Sequence, residues 1–465
     1  MLWPDEVWPQ DIGALAILEG RPLLDRSGGL DIDGVLAVLA ARLHRVPRLR
    51  QVLYSPPREQ GGPLWIDAPA FQLAEHVEVR RVEAPGGEAE LKAAVEQLVE
   101  VRLDRSRPLW MMWFLTGLPA QRVGWFVRIH HSIADGIAGV AMLGSLLDAI
   151  PTKAVAPAKP WTPERAPSEV ELLAEEHRRA AADRRRRLAT LTHPVAGIRG
   201  IAAAWPALRE LLAEPALPPT SLTTAVGSHR KLAFARVELG LVKEIAHRGG
   251  AKVNDVLLAT IAGGVRTLMQ QRCEPLVPEL RAYVPITLRP ADQRATARGN
   301  QIAEMMVPLP IAERDPFRRL RRIAQESSKR KARPRSSVGK MPQHGVAGTL
   351  FLKLIDRQRV NVTTADLHGP QVPLYLAGAR LLEVFPVLPL IGTVSLGVGA
   401  LSYAGEFNIT AVADGDAYRD LDIFVQGLIA ELAALALSLG IPSVGATAGI
   451  GLGAISASQS RRFRE

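Results

Sequence analysis

Two rhythms of apolar and polar positions alternate along the chain. Apolar residues recur at helical spacing over 34–46, at Val35, Leu36, Val38, Leu39 and Leu43. They do so again over 88–102, where Leu91, Ala94, Val95, Leu98 and Val101 share one face. β-branched and aromatic runs predict strands near 77–82, 110–115 and 123–129, the last two joined by a Gly/Pro turn at 117–121. From about 155 to 220 the pattern changes. Pro-rich punctuation leads into a highly charged stretch, 171–187, that ends Arg184-Arg185-Arg186-Arg187, and a second helical piece at 198–212 should kink at Pro206. The alternation then resumes, with strands at 231–239, 281–287, Ile302–Leu309 and within 371–413, and helices at 240–248, 255–271 and 420–439. No short internal repeat interrupts this order.

The pattern predicts two α/β lobes of similar size. An N-terminal lobe spans 1–154, a charged helical crossover 155–228, a C-terminal lobe 229–442, and a flexible Gly/Ala/Ser-rich tail 443–465. Two long uncharged stretches could be mistaken for membrane spans. Residues 384–405 hold Pro386, Pro389 and several glycines, which fits buried strands and turns; 432–460 begins as an apolar helix end and then becomes tail.

Composition narrows the class. Of 465 residues 47% are hydrophobic and 22% charged, enough for a large buried core. The single cysteine, Cys273, excludes an intrachain disulfide and a Cys-rich zinc module. The start, Met1-Leu2-Trp3-Pro4, lacks the basic and apolar regions of a secretory signal. A formal charge of +10 suits an anionic membrane or an acidic cofactor such as coenzyme A, and no zinc finger or RNP-type motif speaks for nucleic acid. The arginine run reads either as a solvated helix face or as a basic element lying on a lipid surface.

The chemistry concentrates where a predicted strand ends. Val123, Trp125, Val127 and Ile129 occupy one strand face, and His130-His131-Ser132-Ile133-Ala134-Asp135-Gly136 follows. Ile137, Val140, Leu143, Leu147 and Ile150 then recur at helical spacing. Adjacent strand residues point apart, so one histidine can face a cleft while the other joins the scaffold. A near-neutral imidazole can take a proton from a hydroxyl as that oxygen attacks a carbonyl. Asp135 could hold the turn, and Gly136 would let the backbone bend without a side-chain clash. A purely structural histidine pair remains open on spacing alone. Metal ligation by His130, His131 and Asp135 is disfavoured by the divergent side chains, and a serine hydrolase by the lack of a G-x-S-x-G elbow.

Further motifs stand in order around this segment. They are Pro108-Leu109-Trp110, Asn254-Asp255-Val256, Val284-Pro285-Ile286-Thr287-Leu288-Arg289, Gly299-Asn300, Val307-Pro308-Leu309-Pro310, Pro373-Leu374-Tyr375-Leu376-Ala377-Gly378-Ala379 and Ser402-Tyr403-Ala404-Gly405. With H-H-x-x-x-D-G, this series over about 30–440 resembles the bacterial wax ester synthase/acyl-CoA:diacylglycerol acyltransferase family, within the chloramphenicol acetyltransferase-like group. The resemblance implies a two-lobed α/β fold, each lobe a mixed sheet flanked by helices, with an active-site channel between them. It implies His131 as general base for direct acyl transfer from acyl-CoA to a diacylglycerol or a fatty alcohol, with His130, Asp135, Gly136 and Asn254 in support. Acyl-CoA would be a co-substrate, with no resident cofactor or metal. The protein would be cytoplasmic, peripheral on the inner face of the cell membrane or on lipid droplets. Another hydroxyl acceptor, such as a polyketide, or a catalytically inactive lipid-surface protein would carry much the same motifs.

Asn254 also reads as an N-cap for a helix beginning at Asp255, and Arg289 either as a surface charge or as a phosphate contact. Two departures from the family pattern stand out. Met1–Gln10 lacks the usual L-S-x-x-D-x-x-F opening, which leaves the first strand undefined. Where the family has S-N-V-P-G-P, this chain has Ala365-Asp366-Leu367-His368-Gly369-Pro370, with Asp366 in place of asparagine.

Overall fold

Alternating apolar faces resolve into two mixed sheets in a computed structural model that describes residues 8–57, 62–153, 157–192, 220–287, 302–332, 360–442 and 446–450. The expected helical piece at 198–212, Arg289, Gly299-Asn300 and the end of the tail beyond 450 lie outside the described residues.

The first sheet comprises β1 (Asp11–Glu19), β4 (Val77–Arg81), β5 (Trp110–Thr116), β6 (Arg122–His130), β11 (Tyr375–Leu376) and β12 (Ala379–Val387) in the order β11-β12-β1-β6-β5-β4. Between its members, β2 (Gln51–Tyr54) and β3 (Leu64–Asp67) form a separate ribbon. The second sheet comprises β7 (Arg230–Glu238), β8 (Leu280–Thr287), β9 (Ile302–Leu309), β10 (Val362–His368), β13 (Leu396–Tyr403), β14 (Glu406–Asp414) and β15 (Ala446–Ala448) in the order β15-β7-β14-β13-β10-β8-β9. Each contains parallel and antiparallel pairs.

Three expectations change here. The undefined first strand is β1, and it is central: it pairs with β6 on one side and β12 on the other. Its apolar run, Ala14 to Leu18, lies just beyond Met1–Gln10. The lobe boundaries also fail to separate the sheets, because β11 and β12 from the C-terminal half complete the N-terminal sheet. β12 brings Leu381, Phe385 and Val387 into an edge position that β1 would otherwise leave open. Finally, part of the expected tail is ordered: β15 pairs with β7, and the Ile450 N–H donates to Glu88 Oε2 at 2.9 Å.

Helices cover the sheets. α1 (Ile32–Arg42) buries Val35, Val38 and Leu39, and α2 (Glu88–Glu100) buries Leu91, Val95 and Leu98, the faces that the periodicity predicts. The helix after the histidines, α3 (Gly136–Ser145), stops short of Ile150, which is 66% exposed. In the crossover, α4 (Glu169–Thr192) spans the charged stretch, with Arg184 and Arg185 exposed. The helix Leu421–Ser438 is long and apolar enough to cross a membrane, yet Leu421, Phe424, Leu428 and Leu435 are buried in the same core cluster as residues of the helix Val253–Gln271. Its apolarity is accounted for by that core.

The buried side chains form one cluster per lobe and a third between the sheets. In the third, Leu15 and Ile17 of β1 and Phe385 of β12 meet Leu232 and Phe234 of β7, the Phe234 and Phe385 rings 5.0 Å apart. An ion pair from Arg236 to Glu383 at 3.1 Å adds a polar tie between the sheets. β13 also meets β12, where the Tyr403 hydroxyl donates to the Leu381 carbonyl at 3.1 Å, and the site occupies the gap left between these contacts.

Candidate active site

β6 carries the histidines to the gap. All nine of its residues are buried, and alternation puts Trp125, Val127 and Ile129 on one side. On the other, Arg128 is fixed by Asp11 and by the carbonyls of Leu98 and Val101 at the end of α2. His130 ends the strand and is 3% exposed. Its Nδ1 accepts from the Ser132 N–H at 3.2 Å and lies 2.7 Å from the Ser132 hydroxyl, which commits that face of the ring to the turn. His131 is half-buried and lines the cavity with Trp125, Val127 and Ile129. The structure thus separates the pair into a scaffold histidine and a cavity histidine.

The His131 main chain is held by a 2.8 Å bond from its N–H to the Gln10 carbonyl. Burial is the leading influence on the ring and holds the imidazole below its ordinary value. A hydrogen bond to its own carbonyl and the charge of Asp135 oppose that shift, while His130 adds to it. A neutral imidazole keeps a lone pair on one ring nitrogen, the atom that can accept a proton.

Asp135 is 1% exposed and caps α3, its Oδ1 accepting from the Ala138 N–H at 2.9 Å. Gly136 is the first helical residue and has an ordinary φ, so its value is not a permissive bend. What it allows is close approach between the lobes. A Cβ at Gly136 would stand 2.9 Å from Leu367 Cδ2 on β10.

Asn254 departs from both expectations. The helix begins at Val253 with Lys252 at the cap position, and the Lys252 N–H donates to Asp255 Oδ2 at 3.0 Å. Asn254 therefore sits inside the first turn, its Nδ2 buried without a partner among the described residues, and it is not on the cavity wall. Trp110 is structural as expected: it is 1% exposed, its indole N–H donates to the Leu49 carbonyl at 2.8 Å, and its ring stacks on His76.

The cavity measures about 360 Å³ and is walled mainly by apolar side chains. One wall comes from β1, β6 and β12 of the first sheet with α3, the other from β8 and β10 of the second. The motifs at 284–289 and 365–370 supply much of the second wall, but their meeting is not legible in the sequence because they lie on strands far apart in the chain. The ladder between β8 and β10 has two residue pairs, Ala282 with Val362 and Tyr283 with Thr363, flanked by the Asn361 N–H on the Arg281 carbonyl and the Thr364 hydroxyl on the Tyr283 carbonyl, each at 2.9 Å. Beyond them Pro285 and Thr287 on one strand, and Asp366 and Leu367 on the other, line the cavity. Since Asp366 and Leu367 point to opposite faces of β10, the cavity reaches both sides of that strand.

Two sheets sharing a central channel, with a histidine at the end of a strand beside it, define a chloramphenicol acetyltransferase-like fold. Solved structures agree. A wax ester synthase/diacylglycerol acyltransferase from Marinobacter aquaeolei VT8 superposes with a TM-score of 0.63 at 19% identity, covering 94% of this chain and 97% of that one. The first condensation domain of the calcium-dependent antibiotic synthetase gives 0.58 at 15% identity, covering 94% and 92%. In sequence, the wax ester synthase/diacylglycerol acyltransferase catalytic domain matches residues 5–257, and the C-terminal domain of the same family matches 298–436. A probable diacylglycerol O-acyltransferase, tgs1, of Mycobacterium tuberculosis (strain ATCC 25618 / H37Rv) is 30% identical over 439 residues, 91% of each chain. The chain belongs to the wax ester synthase/diacylglycerol acyltransferase family, and it is an acyltransferase.

Proposed function

We propose that this enzyme moves a long-chain acyl group from acyl-CoA to a diacylglycerol, a fatty alcohol, or both, with His131 as general base. The observation that carries the reading is that His131 is the one histidine on the wall of the apolar cavity between the lobes, among the described residues. An apolar wall suits alkyl chains, and a ring kept neutral by burial is ready to accept a proton.

In this mechanism the acceptor hydroxyl gives its proton to the lone-pair nitrogen of His131 as its oxygen bonds to the thioester carbonyl carbon. The tetrahedral intermediate collapses, the C–S bond breaks, and the same nitrogen returns the proton to the departing sulfur. The products are an ester and free coenzyme A, with no acyl-enzyme. Asp135 keeps α3 and the turn in register and moves no proton. Acyl-CoA is a co-substrate here, and the chain's own groups supply the proton transfer.

The same reading has the protein working at the inner face of the cell membrane or at a lipid droplet, where its substrates are dissolved. The exposed Arg184 and Arg185 of α4 support contact with an anionic surface. Binding to vesicles with and without anionic lipid checks this.

The functional test is release of coenzyme A thiol from palmitoyl-CoA, with diacylglycerol or hexadecanol supplied separately. Acceptor-dependent release that disappears in His131→Ala supports the proposal. Release that persists in the variant removes His131 as base, and release with neither acceptor removes both substrates.

A further inference from the structure

Asp366 is an ionisable side chain on the cavity wall that the mechanism leaves unused. Three other polar groups on the wall are committed to the fold. Asp135 caps α3, the Thr364 hydroxyl donates to the Tyr283 carbonyl at 2.9 Å, and the Tyr403 hydroxyl bridges the Leu374 N–H and the Leu381 carbonyl. No hydrogen bond from a described residue reaches the Asp366 carboxyl, although it faces a gap walled by Leu, Val and Pro.

We propose that Asp366 is an acceptor-recognition residue, its carboxyl hydrogen-bonding an ester carbonyl of a glycerolipid, so that the site favours a diacylglycerol over a plain long-chain alcohol. The proposal deepens the function given above and rests on it for the identity of the acceptors. A long-chain alcohol brings one polar atom, its hydroxyl, which His131 engages. A diacylglycerol brings two further carbonyls that lose water on entering an apolar cavity and can only accept hydrogen bonds. A donor waiting in the wall compensates one of them. The alcohol leaves that same donor unpaired, so the group acts against it as well as for the diacylglycerol.

The surroundings tilt the carboxyl toward its protonated, donating form. His368, two residues along β10, and Lys331, near the end of the helix Pro316–Ala332, favour ionisation, but burial outweighs both and pushes the carboxyl above its ordinary range. The facing residue on β13 is Ala400, which carries no charge, and Tyr283 of β8 and His131 lie on the same cavity wall. The protonated acid donates; the carboxylate does not.

The experiment compares wild type, Asp366→Asn and Asp366→Leu in two readouts. The first is binding of dioctanoylglycerol or dodecanol without acyl donor, followed by intrinsic tryptophan fluorescence, to which Trp125 on the wall contributes. The second is acceptor-dependent release of coenzyme A. Asp366→Leu should weaken dioctanoylglycerol about tenfold, the worth of one desolvated hydrogen bond, and change dodecanol by less than about twofold. Asp366→Asn retains a donor and should stay near wild type. Raising the pH should weaken diacylglycerol binding to wild type while leaving Asp366→Asn unchanged. Equal losses for both acceptors, no loss for either, or wild type that fails to bind dioctanoylglycerol would each overturn the proposal. Wild type that binds dioctanoylglycerol yet never releases coenzyme A would instead refute the acyl-transfer reading, and the binding series would still decide the role of Asp366.

Discussion

Gly136 and Leu367 meet across the gap between the lobes, with room for hydrogen but not for a methyl group: a Cβ on the glycine would stand 2.9 Å from Leu367 Cδ2. The first turn of α3, which follows the histidines, is thereby pressed against β10. Leu367 Cδ2 is the end of a flexible side chain, so Gly136→Ala should change stability by less than about 1 kcal/mol, while the displaced leucine narrows the cavity and lowers activity. Gly136→Val should cost about 1–3 kcal/mol. Adding Leu367→Ala should return activity to the Gly136→Ala enzyme. Denaturant melts and initial rates on the three variants test this, and a double variant no better than the single one would refute the contact as the cause.

His131 sets the acid side of the pH profile. Burial holds its imidazole below 6.5, so kcat/KM should rise with pH through a midpoint lower than that and be level by neutrality. Replacing the ring with alanine should reduce the rate by about 10²–10⁴ and leave the far-UV spectrum unchanged. The native state favours the neutral ring, so this residue's contribution to stability is present above 6.5 and is lost as the pH falls through its lowered value.

Asp135 couples the helix cap to that midpoint. Asp135→Ala should cost about 1 kcal/mol by removing the acceptor of the Ala138 N–H. Asp135→Asn keeps an acceptor oxygen and should cost less. Because the aspartate charge raises the His131 value, Asp135→Asn should move the acid limb of kcat/KM to still lower pH. A limb that moves upward would contradict the electrostatic assignment.

Far from the site, Arg319 and Glu431 form a buried pair between two helices of the second lobe, 1% and 8% exposed. Arg319→Met strands a carboxylate in the core and should destabilise the protein by about 3–5 kcal/mol. Adding Glu431→Leu should recover most of that loss. Urea melts of the single and double variants measure both.

Local signals made the histidine segment readable. Alternation along Val123 to Ile129 ends at the pair, and the same alternation separates a scaffold ring from a cavity ring. Helical spacing likewise marked the faces of α1 and α2. The misses have a common physical origin in long-range pairing. Nothing near Ala379 says that β12 will cross to the first sheet, since its partner β1 lies more than three hundred residues away. The short β10 does not read as a strand because Thr363, Thr364, Asp366 and His368 dilute its apolar pattern, although the first three bring polar groups to the cavity. The helix around Asn254 begins two residues earlier than its spacing predicts, which is enough to turn a cap into a first-turn side chain with a buried amide.

The parting of β8 from β10 makes the cavity a cleft within the second sheet itself. Ladder pairing stops at Tyr283 and Thr363, and beyond it Pro285 and Thr287 on one strand and Asp366 and Leu367 on the other face the same space. Each strand keeps its outer partner there, β8 pairing with β9 to Thr287 and β10 with β13 to His368. The cleft is therefore framed by backbone that is still laced on its far side, while Phe234 packed on Phe385 fixes one sheet to the other.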